Sequence, residues 1–99
     1  MTRRREVRVS ESFFAELDDQ LGAERGPHGQ PSATDFIVVD LPAIVEQFAA
    51  AFDNLPEATS GVRAIRMFIG SGALVPAFVV HGIETTEGVI HLVGIEIDL

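Results

Sequence analysis

Few residues in this chain could do chemistry, and their spacing decides what each can do. His81 and His91 flank a turn-forming run at 84–88 inside β-rich sequence, so the strands on either side would bring them face to face. Two imidazoles can hold a metal or respond to pH. They fall short of the four ligands of a structural zinc site, and the nearest further donors, Glu84 and Glu87, lie in the turn. The pair therefore reads as two histidines at a sheet end, and no metal is expected. Arg66 with Glu96 and Asp98 is a second candidate, an anion or acid–base site whose simpler reading is an ion pair on a sheet. His28, alone in a Gly- and Pro-rich segment, has no partner nearby. There is no Cys, hence no thiolate chemistry. The phosphate loop, the dinucleotide fingerprint, the nucleophile elbow and HExxH are all absent. Gly70-Ser71-Gly72 is explained as a hairpin turn. No catalytic residue can be assigned, and no cofactor is expected.

Charge narrows the partners. The basic residues are all Arg, and four of them (Arg3, Arg4, Arg5, Arg8) fall in the first eight positions beside Glu6, leaving that stretch at +3. The net charge is −8, so the other ninety-one residues carry −11. A body this acidic repels phosphate backbones, because non-specific nucleic-acid affinity comes from Lys and Arg neutralising phosphates. Nucleic acid is thus an unlikely partner. The Arg-rich start reads as a solvated terminus. No apolar stretch follows it as a signal peptide requires, and no run approaches the roughly 20 residues of a membrane span. A cytoplasmic protein without a membrane segment is expected.

With 46% hydrophobic and 22% charged residues in 99, the composition is that of one globular α+β domain spanning 1–99. Residues 5–9 alternate charged and apolar, as a short strand does. Ser10 is a natural N-cap, with Val9 and Phe14 at hydrophobic-staple spacing. Phe13, Phe14, Leu17 and Leu21 form an apolar stripe, Glu16, Asp18 and Asp19 lie outside it, and Gly22 supplies the stop. Residues 22–34 read as a surface loop. The stretch 35–40 is consistent with a buried strand or with the start of a helix. Asp40 is placed to cap a second helix carrying Leu41, Ile44, Val45, Phe48 and Phe52, with Pro42 in its first turn. From Val62 the period becomes two, giving three runs at 62–69, 73–81 and 89–97 that form an antiparallel meander. Pro76 inside the middle run implies a bulge or an interrupted ladder.

Hairpins centred on Ser71 and Thr86 would pair Ile65 with Ala77, Met67 with Val75 and His81 with His91. One face would then carry Ile65, Met67, Ile69, Val75, Ala77, Val79, Val93, Ile95 and Ile97, covered by the helices. The other would carry Arg66, Phe68, Phe78, Val80, Ile90 and Leu92, with Glu96 and Asp98 beside Arg66. That second face is too apolar for open solvent and asks for a partner, either another protein or a second copy. Arg63, Arg66, Phe78, Glu96 and Asp98 are the candidate binding residues.

The order strand, helix, helix, three-stranded antiparallel meander resembles the RelE/ParE toxin superfamily. Arg8-Val9-Ser10 leading into a helix with Phe13 and Leu17 is similar to the opening of plasmid-stabilisation toxins. The Arg-bearing strand Val62-Arg63-Ala64-Ile65-Arg66 after a Gly-containing loop adds to the likeness. The resemblance implies a toxin-like component of a toxin–antitoxin pair, neutralised by a small antitoxin. It would carry over either Arg63 or Arg66 as the strand arginine. Lys and Tyr are absent and the chain ends Ile95-Glu96-Ile97-Asp98-Leu99, where ribonuclease members place basic or aromatic residues. The implied action is therefore protein binding rather than RNA cleavage, with a homodimeric interaction module as the alternative.

Overall fold

The computed structural model describes residues 4–98; Arg3 of the basic cluster and the final Leu99 lie outside the described residues. The chain is α+β, with β1 (Val7–Val9), α1 (Glu11–Gln20), α2 (Ala33–Val39), α3 (Leu41–Ala51), a 3-10 turn (Phe52–Asn54), β2 (Ile65–Gly70), β3 (Ala77–Glu84) and β4 (Ile90–Asp98). The sheet order is β1-β4-β3-β2. β2, β3 and β4 form the expected antiparallel meander, and β1 adds parallel to β4 through the pairs Val7–Ile90, Arg8–His91 and Val9–Leu92. No helix among the described residues is long and apolar enough to cross a membrane.

Local chemistry explains the helices. Ser10 caps α1, its Oγ accepting from the Phe13 N–H at 3.3 Å. The open stretch at 35–40 belongs to a third helix, because Ser32 and Asp35 form a reciprocal capping box: Ser32 Oγ accepts from Asp35 N–H and Asp35 Oδ2 accepts from Ser32 N–H, each at 3.1 Å. With Ala33 already helical, the predicted loop ends two residues earlier than expected. Asp40 stands at the start of α3 but makes no capping bond there. Its buried carboxylate accepts instead from the N–H groups of Ala73 at 2.7 Å and Leu74 at 3.1 Å, tying the helix junction to the β2–β3 connection.

That connection corrects the first register. The ladder pairs Ile65 with Ile83, Met67 with His81 and Ile69 with Val79, so residues 71–76 are loop and not strand. Pro76 stands just before β3, where its missing N–H costs no ladder bond. Gly70-Ser71-Gly72 is therefore the beginning of a longer loop. Gly72 is required there, since a Cβ would come within 2.4 Å of the Asp40 carboxylate.

The second register is corrected too. β3 pairs with β4 as Ile83–His91 and Gly82–Leu92, and then, beyond a bulge, as His81–Gly94, Val80–Ile95 and Val79–Glu96. The bulge leaves Val93 unpaired and switches the parity of β4. Ile90 and Leu92 face the helices before it, and Ile95 and Ile97 do so after it. Helices cover the face of Phe68, Phe78, Val80, Ile90 and Leu92, the reverse of the predicted side, while Val75, Ile95 and Ile97 lie under the helices as expected. They enclose one core with Phe13, Leu17, Phe36, Ile44, Phe48 and Phe52. Gly82 lies under the Phe48 ring, where a Cβ would meet ring carbon at 2.5 Å.

Two edges are managed differently. Beyond Leu92, β1 has ended, and α1 takes its place along β4 with a stripe one turn apart. Ser12 Oγ donates to Val93 O at 2.9 Å, Glu16 Oε2 accepts from Ile95 N–H at 2.9 Å, and Gln20 bridges Ile95 O at 2.7 Å and Ile97 N–H at 2.6 Å. Glu16, expected on the solvent side, thus serves as a strand substitute. At the far edge, Pro56 O accepts from Met67 N–H and Ala58 N–H donates to Ile65 O, both at 3.0 Å, so the first half of β2 is already paired.

Candidate functional site: the open face of the sheet

Because strand side chains alternate, everything that does not face the helices lies on one uncovered surface. The ladders arrange it in rows: Ile65, Ile83, His91 and Arg8; Met67 and His81; Ile69, Val79 and Glu96; Ala77 and Asp98. Ile69 is 60% exposed, while Met67, Val79, His81 and Val93 are each half-buried by their neighbours. At the end of the face formed by Ile69, Ala77, Val79, Glu96 and Asp98 lies a shallow depression of about 340 Å³.

The predicted site residues separate. Phe78 is a core residue, its ring 6.4 Å from that of Phe36 and 5.6 Å from that of Phe68, both near edge-on. Arg66 points to the helix side, where Nε donates to Arg63 O and Nη1 to Leu55 O at 2.8 Å each, and its guanidinium lies 5.7 Å from the Phe52 ring centre. It pairs across the sheet with Gly82, several residues along from the rows of Glu96 and Asp98, so the proposed Arg66–Glu96–Asp98 group does not form. Glu96 and Asp98 do lie together, on the open face. Arg63 is exposed at the opposite end, two residues before β2 begins. His81 and His91 share the open face without pairing, since the bulge places His81 opposite Gly94 and His91 opposite Ile83. Among the described residues, no three of His, Asp and Glu cluster as a metal-binding group.

Electrostatics set this face apart. Where a solvated terminus was expected, Arg4, Arg5 and Arg8 are each tied into an ion pair. Arg4 forms a two-pronged pair with Glu46 at 2.6 and 2.7 Å, and Arg8 pairs with Glu6. Arg5, only 12% exposed, bonds Glu84 and Asp53 and lies 5.4 Å from the centre of the Phe52 ring, opposite pull to its burial. Burial pushes its guanidinium pKa down, and the two carboxylates outweigh that and raise it. Arg25 pairs with Asp35 at 2.9 Å, and Arg66 approaches Glu57 at 4.0 Å. Arg63 is thus the one arginine among the described residues without a carboxylate partner, and Glu96 and Asp98 likewise have no cation.

Sequence reasoning missed Ile69, Met67 and Val79 as surface residues, having placed them under the helices. The available signal was Pro76: taken as the boundary before a strand and not as a defect within one, it starts β3 at Ala77 and moves the hairpin centre.

No family model, no curated protein and no solved structure matches this chain.

Proposed function

We propose that this chain is a non-enzymatic protein-interaction module that works through the open face of its sheet. The observation carrying this reading is a contiguous apolar surface from Ile65 and Ile83 to Ile69, Val79 and Ala77, left uncovered while three helices crowd the other side. Strand addition at β2 is a poorer route, because Leu55–Ala58 already runs beside Ile65–Met67 and leaves little free edge. A photo-crosslinking residue at Val79, introduced in the producing cell, should give discrete protein adducts. The same group at exposed Thr34 on α2 should give none. If Val79 yields no adduct, the reading falls.

A narrower version follows the RelE/ParE resemblance: a toxin-like component acting by protein binding and neutralised by an antitoxin on this face. The strand–helices–meander order supports it. Induced expression should then slow growth, with relief on co-expressing a short neighbouring reading frame. Unimpaired growth counts against this version alone.

A further inference from the structure

The open face is polar at its two ends in opposite senses. At one end stand Glu96 and Asp98, both exposed and without a cation among the described residues. At the other stands Arg63, exposed in the turn just before β2 and without a carboxylate partner among the described residues. Between them the rows are apolar apart from the two half-buried histidines and the exposed Arg8, which lies beside His91 at the Arg63 end and is paired with Glu6. From Arg63 to the row of Ile69 and Glu96 the strands advance by roughly 20 Å. A surface that is anionic at one end, cationic at the other and apolar between fits a reversed copy of itself.

We infer that the occupant of this face is a second copy of the chain, packed sheet against sheet about a two-fold axis crossing the strands. Each Arg63 then meets the other copy's Glu96 and Asp98. This rests on the reading of the face as a protein-binding surface. In such an isologous contact every interaction occurs twice, so the two ends are satisfied together. A basic partner would find carboxylates at one end and Arg63 at the other, a poorer match.

The net charge of −8 does not forbid the pairing. Glu11, Asp18 and Asp19 sit on α1, which runs along the β4 edge and off the contacting face, and packed sheets keep a face-to-face spacing of about 10 Å. That exceeds the screening length of roughly 8 Å at physiological salt. The contact is small. Three strands of roughly 20 Å make a patch of roughly 300 Å², below the roughly 800 Å² per partner of a standard stable interface. The dimer is accordingly weak, in the micromolar range or above.

Sedimentation equilibrium of the whole chain from micromolar to about millimolar concentration tests this, on the scale set by interface area. The wild type should move from 10.7 kDa toward twice that mass. Arg63→Glu alone, and Glu96→Arg with Asp98→Arg, should each weaken association by at least about tenfold, since each sets like charges against one another. An equimolar mixture of these two variants should restore it, because every junction then pairs opposite charges. Far-ultraviolet circular dichroism checks that each variant is folded. A wild type that remains monomeric throughout overturns the proposal, as does a dimer indifferent to both charge reversals or a mixture that fails to recover. If Val79 crosslinks only to proteins of other mass, the second copy is excluded while the protein-binding role stands.

Discussion

The two faces of this sheet differ less in hydrophobicity than in side-chain size. The helix-covered face and the helices that meet it hold all seven phenylalanines of the chain, and none stands on the open face. Phe68, Phe78, Phe36 and Phe48 touch one another mostly edge-on, with ring centres 5.6 to 6.5 Å apart, and the glycine at 82 leaves room for Phe48. Large rings repay burial only when something thick packs on them, so they choose the helix side. The open face is built from Ile, Val, Ala and Met, which make a flatter surface around His81. Alternation produces two apolar faces, and volume decides which of them is the core.

The comparison breaks most sharply if the covered face loses a ring. Phe48 is fully buried. Phe48→Ala should cost about 3–5 kcal/mol in urea unfolding, a large part of the stability of a chain this size. On the open face, Val79→Ala should cost less than about 1 kcal/mol at concentrations where the chain is monomeric. Comparable losses at the two positions would mean that the open face is as tightly packed as the core.

Next in size is the link between helices and sheet at Asp40. Asp40→Ala would strand the Ala73 and Leu74 N–H groups in a partly buried loop, at about 1–3 kcal/mol. Gly82→Ala should cost a similar amount, about 1–3 kcal/mol, by forcing a methyl against the Phe48 ring. Should Gly82→Ala prove neutral, α3 can move off β3 far enough to relieve the 2.5 Å clash that an added Cβ would make with the Phe48 ring.

Some of this architecture was legible in the residues and some was not, for separable reasons. Ser10, the stripe of Phe13 and Leu17 and the three β-rich runs announce α1 and the meander through local spacing alone. The α2 capping box is equally local, but it was masked because Phe36–Val39 is too short an apolar run to carry a period. The register was legible only through Pro76 as a strand boundary. It depends on where a loop ends, and a shift of the hairpin centre from Ser71 toward Leu74 re-pairs every residue of β2. The Val93 bulge was invisible for a related reason: it changes parity midway along a strand whose alternation looks continuous. Of the candidate site, Glu96 and Asp98 were correctly grouped with each other. Arg66 was misassigned because its partner is the Leu55 carbonyl, a main-chain group that no side-chain pattern reports.

The smallest expected effect concerns acid. On the helix-covered side, the Arg25 guanidinium and the Ser32 N–H hold the Asp35 carboxyl below its usual value, and Arg4 does the same for Glu46. Each favours the ionised form in the folded chain, so its stabilisation is fully present above the unfolded value of about 4. It declines as pH falls through the still lower folded values. Melting temperature should therefore drop on acidification below about pH 4. Asp35→Asn together with Glu46→Gln should flatten that acid limb, whereas the open-face variant Ile69→Ser should keep it as steep as in the wild type. Both carboxyls are solvent-accessible, which keeps the change small. An acid limb just as steep in the double variant would assign it to other carboxylates.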